Sequence, residues 1–178
     1  MEEAARIQSI LAGHTSEFTH LVKAYETSVF RIVMGFMHQK EDAEDITQEV
    51  FVKAFQSLDR FAGRSSFSTW LFRIAIHTSL NELKRRKRRT LWSMAADLLQ
   101  LPSSNKDPEQ ALAEKTEQDQ IRKAIDHLPE KQRMAFILTR YEELPQKEVA
   151  QIIEVTEGAV EQLLLRARDN LKKTLQRP

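Results

Sequence analysis

Apolar residues recur at steps of three and four along this chain, and little in the sequence interrupts that period. The pattern is regular from about residue 17 to 37, at Phe18, Leu21, Val22, Tyr25, Val29, Ile32, Val33 and Phe36. Only four Gly and five Pro punctuate the 178 residues, and no run alternates at the two-residue period of a strand. The sequence therefore predicts an all-α fold made of amphipathic helices.

The helical pattern is weakest between residues 90 and 107. Pro102, two serines and Asn105 follow one another there, and Asp107-Pro108 has the form of a helix N-cap with proline at the first helical position. We expect two small helical domains, 1–89 and 108–178, joined by a linker at 90–107. The linker is too apolar for a solvated tether, and two interpretations stay open: a short helix packed on the first domain, or a segment that docks on a partner. Its apolar residues are Leu91, Trp92, Met94, Leu98, Leu99 and Leu101.

Charge is distributed unevenly although the formal net charge is only +1. From Arg60 to Arg89 nine Lys/Arg face a single acidic residue, Glu82, whereas from Asp107 onward 12 Lys/Arg accompany 14 Asp/Glu, a net of −2. A local basic patch is typical of a protein that binds a polyanion. The chain has no cysteine, no signal-peptide pattern at its acidic N-terminus and no apolar run long enough to span a membrane, so we expect a soluble cytoplasmic protein.

The next predicted helix begins at about Asp42, after the polar stretch 38–41, and carries acidic residues on one side. On a helical wheel Asp42, Asp45 and Glu49 fall together, opposite a broad apolar side made of Ala43, Ile46, Val50, Phe51, Ala54, Phe55 and Leu58. An ordinary solvated face, a protein-docking face and a metal site with His38 are the three interpretations. The metal site is the weakest because the remaining histidines lack ligand spacing.

A break at residues 59–66 precedes a helix that we expect from Phe67 to about Arg89. Gly63 permits a turn, and Ser65 or Ser66 can cap the helix. Its apolar positions favour core packing, at Phe67, Trp70, Leu71, Ile74, Ala75 and Thr78. The remaining polar and cationic side chains suit phosphates and base edges, and aromatic groups beside a cationic groove suit single-stranded DNA.

The C-terminal part predicts helices near 108–127, 129–141, 145–153 and 157–176, and the last two have the layout of a helix-turn-helix. Residues 154–156 form the turn, and Thr156 is a good N-cap for the second helix. Such a helix reads bases in the major groove with its N-terminal residues, and Gln, Glu and Arg can each pair with a base. A plain helical hairpin is the alternative.

In this order the motifs resemble those of the extracytoplasmic-function (ECF) sigma factors, over nearly the whole chain. Phe18 to Tyr25 is similar to the start of sigma region 2, and residues 42–51 resemble the segment that binds the clamp helices of the RNA polymerase β′ subunit. Residues 67–75 resemble the promoter-melting motif, and residues 128–133 with the helix-turn-helix resemble region 4. His77 stands where many relatives carry Asn, and Glu154 where Gly is frequent.

The resemblance implies a role for each surface. Core RNA polymerase, through its β′ clamp and β flap, and promoter DNA would be the partners, and an anti-sigma factor would hide these surfaces. The polymerase-binding residues would be Asp42, Asp45, Gln48 and Glu49. The −10 element would meet Arg64, Ser65, Ser66, Trp70, Arg73, His77, Asn81, Lys84, Arg85 and Arg88. The −35 element would meet Thr156, Glu157, Gly158, Glu161, Gln162, Arg166 and Arg168.

Three functions are compatible with helices and charges of this kind to different degrees. A promoter-specificity factor without catalytic chemistry, cofactor or metal accounts for every surface. A stand-alone helix-turn-helix regulator leaves the acidic and basic helices of the first domain unexplained. A helical metalloenzyme built around His38, Asp42, Asp45 and Glu49 lacks a ligand pattern.

Overall fold

In the computed structural model, which describes residues 3–99 and 117–176, the chain is helical, and no strand occurs in those two stretches. The first stretch contains α1 (Glu3–Leu11), α2 (Phe18–Met37), α3 (Lys40–Gln56) and α4 (Phe67–Leu99). The second contains α5 (Glu117–Asp126), α6 (Glu130–Tyr141), α7 (Gln146–Ile153) and α8 (Glu157–Leu175). Short 3₁₀ turns lie at Thr15–Glu17 and Leu58–Arg60. The prediction of an all-α fold is confirmed.

The core of the first stretch forms where α2, α3 and α4 pack against one another. The predicted apolar stripes supply it, and its largest fully buried side chains include Ile32, Phe36, Val50, Phe67 and Leu71. Phe55 does not belong to it: the ring contacts Phe18 at 5.1 Å between centroids, but 41% of the residue is exposed. Phe55 therefore lies at the margin of the apolar side of α3, where the ring of Phe18 covers only part of it.

Helix α4 is ten residues longer than its sequence predicts. It passes Arg89 without a break and ends at Leu99, and Leu91 and Trp92 are exposed on it, Trp92 to 76%. A separate short helix packed on the first domain is therefore wrong for this part of the linker. Docking of the segment on a partner remains a prediction. The Pro102 turn and the Asp107-Pro108 cap lie outside the described residues.

The two stretches share one hydrophobic core. Its buried side chains come from α1 to α4 and also from α6, α7 and α8. Gly35 on α2 makes the closest approach, because a Cβ added there would lie 2.7 Å from Cγ2 of Ile137 on α6. Arg133 on α6 is only 6% exposed; its guanidinium donates to the carbonyl of Phe36 at 2.9 Å and lies 5.1 Å from the centre of that ring. The tertiary structure thus brings the two predicted domains into direct contact.

Candidate nucleic-acid and polymerase interface

The acidic side of α3 is divided between an internal ion pair and an exposed face. Asp42 is half-buried and its carboxylate accepts a hydrogen bond from Arg86 of α4 at 2.6 Å. Asp45, Gln48 and Glu49 are exposed. Asp42 lies within about 60° of Asp45 and about 20° of Glu49 around α3, as the helical wheel predicts, but its carboxylate is engaged by Arg86 of α4.

Arg86 forms the centre of a network that fixes α4 against α3. Besides Asp42, it donates from Nε to Glu82 at 2.7 Å, and Arg85 donates to the same carboxylate at 2.6 Å. The hydrogen bond from Arg86 lowers the pKa of Asp42, and the bond from Arg85, followed by that from Arg86, lowers the pKa of Glu82. Both carboxylates therefore stay ionised at neutral pH, and they engage two of the six residues of the basic run in ion pairs within the chain.

Two apolar side chains extend the exposed face of α3 and were not predicted. Val52 is 54% exposed and lies, by helical geometry, between Asp45 and Gln48 around the helix, and Phe55 follows one turn later. An acidic patch with apolar groups beside it is typical of a protein-docking surface. The exposure of Val52 could have been predicted from the sequence, because the residue lies outside the apolar stripe of α3 and therefore does not face the core.

The loop before α4 holds three aromatic rings together. Gly63 adopts the left-handed φ of +67° that the turn requires, and the backbone N–H of Thr69 donates to Oγ of Ser66 at 3.1 Å. Ser66 is thus the predicted N-cap. Trp70 packs on Phe61 and Phe67, with its ring centre 5.3 and 5.6 Å from theirs, and these contacts fix its position. The side chain of Trp70 is nevertheless only half-buried.

A stripe of predicted −10 residues runs along one side of α4. Trp70, Arg73, His77, Asn81, Lys84 and Arg88 follow at steps of three and four, within about 80° of one another around the helix. Arg85 lies at the edge of this stripe. Arg64 and Ser65 precede it in the loop. The structure brings the stripe beside the face of α3, because Glu49, Asn81, Arg85 and Arg88 line the same groove.

The middle of the stripe contacts the C-terminal helices. Arg73 donates to the carbonyls of Gln151 and Ile152 at 2.6 and 3.2 Å, and its third nitrogen lies 3.3 Å from the carboxylate of Glu154. Lys84 lies 3.1 Å from Glu130. His77 faces a groove that Lys131, Glu130 and Glu154 also line. No pattern in the sequence predicted these contacts, because every one joins residues more than 40 positions apart.

The helix-turn-helix has the predicted geometry. Helix α7 ends at Ile153, and its C-cap residue Glu154 adopts a left-handed φ of 56°. Oγ1 of Thr156 accepts from the N–H of Ala159 at 3.2 Å and caps α8. Val160 and Ala167 are buried against the neighbouring helices. All the predicted −35 residues are exposed, at Thr156, Glu157, Gly158, Glu161, Gln162, Arg166 and Arg168.

The geometry contradicts a metal site built around His38. Nε2 of His38 lies 2.9 Å from Asp126 of α5, and the Asp42 carboxylate is bound to Arg86. Within the described residues no group of three or more His, Asp or Glu side chains could hold a metal ion. Among those same residues no helix combines the length and the apolarity that crossing a membrane requires.

Comparison with known proteins agrees with the two-part architecture. The Sigma-70 region 2 family matches residues 21–89, and the Sigma-70 region 4 family matches residues 118–171. In fold, the chain is similar to CnrH in its complex with the cytosolic domain of CnrY, with a TM-score of 0.67 and 23% identity over 96% of this chain and 95% of that one. It is also similar to the sigma factor RpoE of Bartonella quintana in complex with the anti-sigma factor NepR, with a TM-score of 0.63 and 22% identity over 90% and 98%.

Curated relatives match at full length. The RNA polymerase sigma-H factor of Pseudomonas aeruginosa is 32% identical over 96% of this chain and 92% of its own length. The ECF RNA polymerase sigma-E factor of Escherichia coli K12 is 29% identical over the same shares. From the paired region 2 and region 4 matches and these full-length similarities it follows that the chain belongs to the ECF group of the sigma-70 family of RNA polymerase sigma factors.

Proposed function

We propose that this chain binds core RNA polymerase through the exposed face of α3 and directs it to promoters that it reads with α4 and α8. The observation that carries the proposal is the shared groove between α3 and α4, where Glu49 meets Asn81 and Arg88. A polymerase-docking face and a DNA-binding stripe that border one groove fix the position of the DNA strand relative to polymerase. That is the task of an initiation factor, and it calls for no reaction chemistry in the chain itself.

Each predicted contact has a physical basis. Asp45, Gln48 and Glu49 offer exposed hydrogen-bond acceptors and an amide to polymerase, while Asp42 acts as a positioning residue through Arg86. Trp70 is only half-buried, and the stacking of a base on an aromatic side chain contributes about 1–3 kcal/mol. Gln162 and Arg166, one turn apart on α8, suit base edges in the major groove of a −35 element.

Regulation by an anti-sigma factor and action in the cytoplasm complete the proposal. The fold neighbour RpoE of Bartonella quintana was solved with the anti-sigma factor NepR. Here the exposed α3 face and α8 would be the surfaces that such an inhibitor hides. The stand-alone regulator, which uses only α7 and α8, gives no role to the groove between α3 and α4.

Run-off transcription with core polymerase and a library of genomic fragments tests the function. We expect the purified chain to yield discrete promoter-dependent transcripts that core polymerase alone does not give. Asp45→Arg should weaken core binding by on the order of tenfold, because the reversed charge opposes a basic partner surface. Glu117→Arg, at an exposed carboxylate on α5, is the matched control. A chain that binds core but gives no discrete transcript would refute promoter direction.

A further inference from the structure

The guanidinium of Arg73 is bound to acceptors that resemble a phosphate group. Its Nε and Nη2 donate to the carbonyls of Ile152 and Gln151, in the last turn of α7, and its Nη1 faces the Glu154 carboxylate. The C-terminus of a helix carries a partial negative charge from its unpaired carbonyls. Together with the carboxylate, this end of α7 presents anionic oxygens to all three nitrogens of the arginine.

The same contact borders the middle of the stripe on α4, where His77 stays exposed. Arg73, His77 and Lys84 span 11 residues, or about 16 Å of helix. Over that length Arg73 faces α7, Lys84 pairs with Glu130, and His77 borders the groove that Met134 and Ile153 also line. A DNA strand that engages Arg73 would have to displace the C-terminal end of α7.

Further contacts on other elements hold the two halves in this arrangement. Arg31 of α2 donates to Glu142 at 2.8 Å, and His38, which directly follows α2, contacts Asp126 of α5. Gly35 lets α2 and α6 approach so closely that Ile137 is fully buried. The interface is therefore packed with apolar side chains and supplied with polar partners, as a stable contact between domains requires.

We propose that α6 and α7 autoinhibit the chain, with the C-terminus of α7 and Glu154 occupying Arg73 in place of promoter DNA until the two halves separate. This inference rests on the proposed function, since it assigns the α4 stripe to DNA. It adds a switch within the chain: before any partner arrives, the helix-turn-helix domain itself occludes the strand-binding surface. Glu154 is the residue that makes the contact specific, because it brings a full negative charge to a turn position.

A reversible disulfide crosslink between the two halves tests whether their contact blocks DNA binding. The chain has no cysteine, and a Cβ at position 35 would lie 3.5 Å from Cβ of Ile137, within the range of disulfides. We expect the double variant Gly35→Cys/Ile137→Cys to crosslink readily with diamide. The oxidised form should bind a random-sequence single-stranded DNA 20-mer at least tenfold more weakly than the reduced form, by fluorescence anisotropy at low salt. The two single variants, treated identically, should show no such change.

The variant Glu154→Gln tests the ion pair between Arg73 and Glu154 without a disulfide crosslink. An ion pair of this exposure is worth about 0.2–1 kcal/mol, so its loss should raise the apparent affinity for the 20-mer about 1.4- to fivefold. Glu148→Gln, an exposed carboxylate in the same helix-turn-helix, is the matched control and should leave the affinity unchanged. Failure to crosslink, or equal DNA binding by the oxidised and reduced forms, would overturn the proposal.

A transcription assay with the same double variant distinguishes autoinhibition from the proposed sigma function. If the reduced double variant transcribes with core polymerase and the oxidised one does not, both stand. If both forms transcribe equally, autoinhibition is wrong while the sigma function stands. If neither form transcribes but the oxidised one still binds DNA more weakly, the occlusion stands and promoter direction is refuted.

Discussion

Arg86 shows how one side chain can be removed from a functional surface by its partners. It lies in a run of six Lys/Arg residues, yet it points away from the α4 stripe and binds Asp42 and Glu82. Arg86→Met keeps most of the side-chain volume and removes both hydrogen bonds. We expect it to lower the free energy of unfolding by about 1–3 kcal/mol at pH 7, less than a fully buried pair would cost because Arg86 is about one third exposed.

The pH dependence of that loss identifies the carboxylates. Because the folded-state pKa values of Asp42 and Glu82 are lowered, their contribution is full above the unfolded-state pKa of about 4 and disappears as the pH falls through the folded values. The difference between Arg86→Met and the unsubstituted chain should shrink between about pH 5 and pH 3 in urea titrations. Lys87→Met, at an exposed neighbour, should change stability by no more than about 0.5 kcal/mol. A pH-independent difference would contradict the assignment.

The local sequence predicted the role of residues whose hydrogen-bond partners lie within one helical turn. Ser66 and Thr156 cap their helices as expected, because an N-cap hydroxyl binds a backbone N–H only three residues away. The positions of Asp42 and Arg73 could not be predicted in this way. Their partners, Arg86 and the C-terminus of α7, lie 44 and about 79 residues further along the chain.

At the scale of elements, α3 combines its carboxylates with exposed apolar groups. Val52→Asn removes an apolar contact without adding charge, so we expect core polymerase affinity to fall about fivefold, the effect of losing about 1 kcal/mol at an interface centre. Thermal stability should stay nearly constant because Val52 is 54% exposed. Leu11→Asn, at a similarly exposed apolar residue on α1, serves as the control in the same binding titration. Equal losses for both variants would argue against a docking role for Val52.

Helix α4 separates neighbouring basic residues onto different sides. Arg88 lies on the stripe and Arg89 lies about 100° further around the helix, and within the described residues neither has a carboxylate in ion-pair distance. We expect Arg88→Gln to reduce the salt slope of single-stranded DNA binding by about 0.7, the value for one phosphate contact. Arg89→Gln should leave the slope unchanged. The comparison is best made in the Glu154→Gln background, in which we expect the stripe to be more accessible. Equal slopes for the two variants would show that Arg88 does not contact DNA.

At the scale of the whole molecule, Gly35 controls how closely the two halves pack. Gly35→Ala favours α2 itself by about 1 kcal/mol of helix propensity, but it places a methyl group 2.7 Å from Cγ2 of Ile137, which is fully buried. We expect the halves to separate and the radius of gyration from small-angle X-ray scattering to rise. Gly158→Ala is the control for shape, since its added Cβ meets nothing within 4 Å. An unchanged radius for Gly35→Ala would show that the interface yields without opening.

The helical class, the order of the helices from α2 onward, the caps of α4 and α8 and the helix-turn-helix could all be predicted, because each depends on periodicity or on contacts within a few residues. It also carried the motifs of the ECF sigma family. Which charged and apolar side chains remain available depends on the packing of the helices: Asp42 and Arg86 bind each other, Arg73 binds α7, and Val52 and Phe55 are left exposed. The physical reason is that an ion pair or a buried face is a property of two surfaces, and the partner surface is set by packing between helices that lie far apart in the chain.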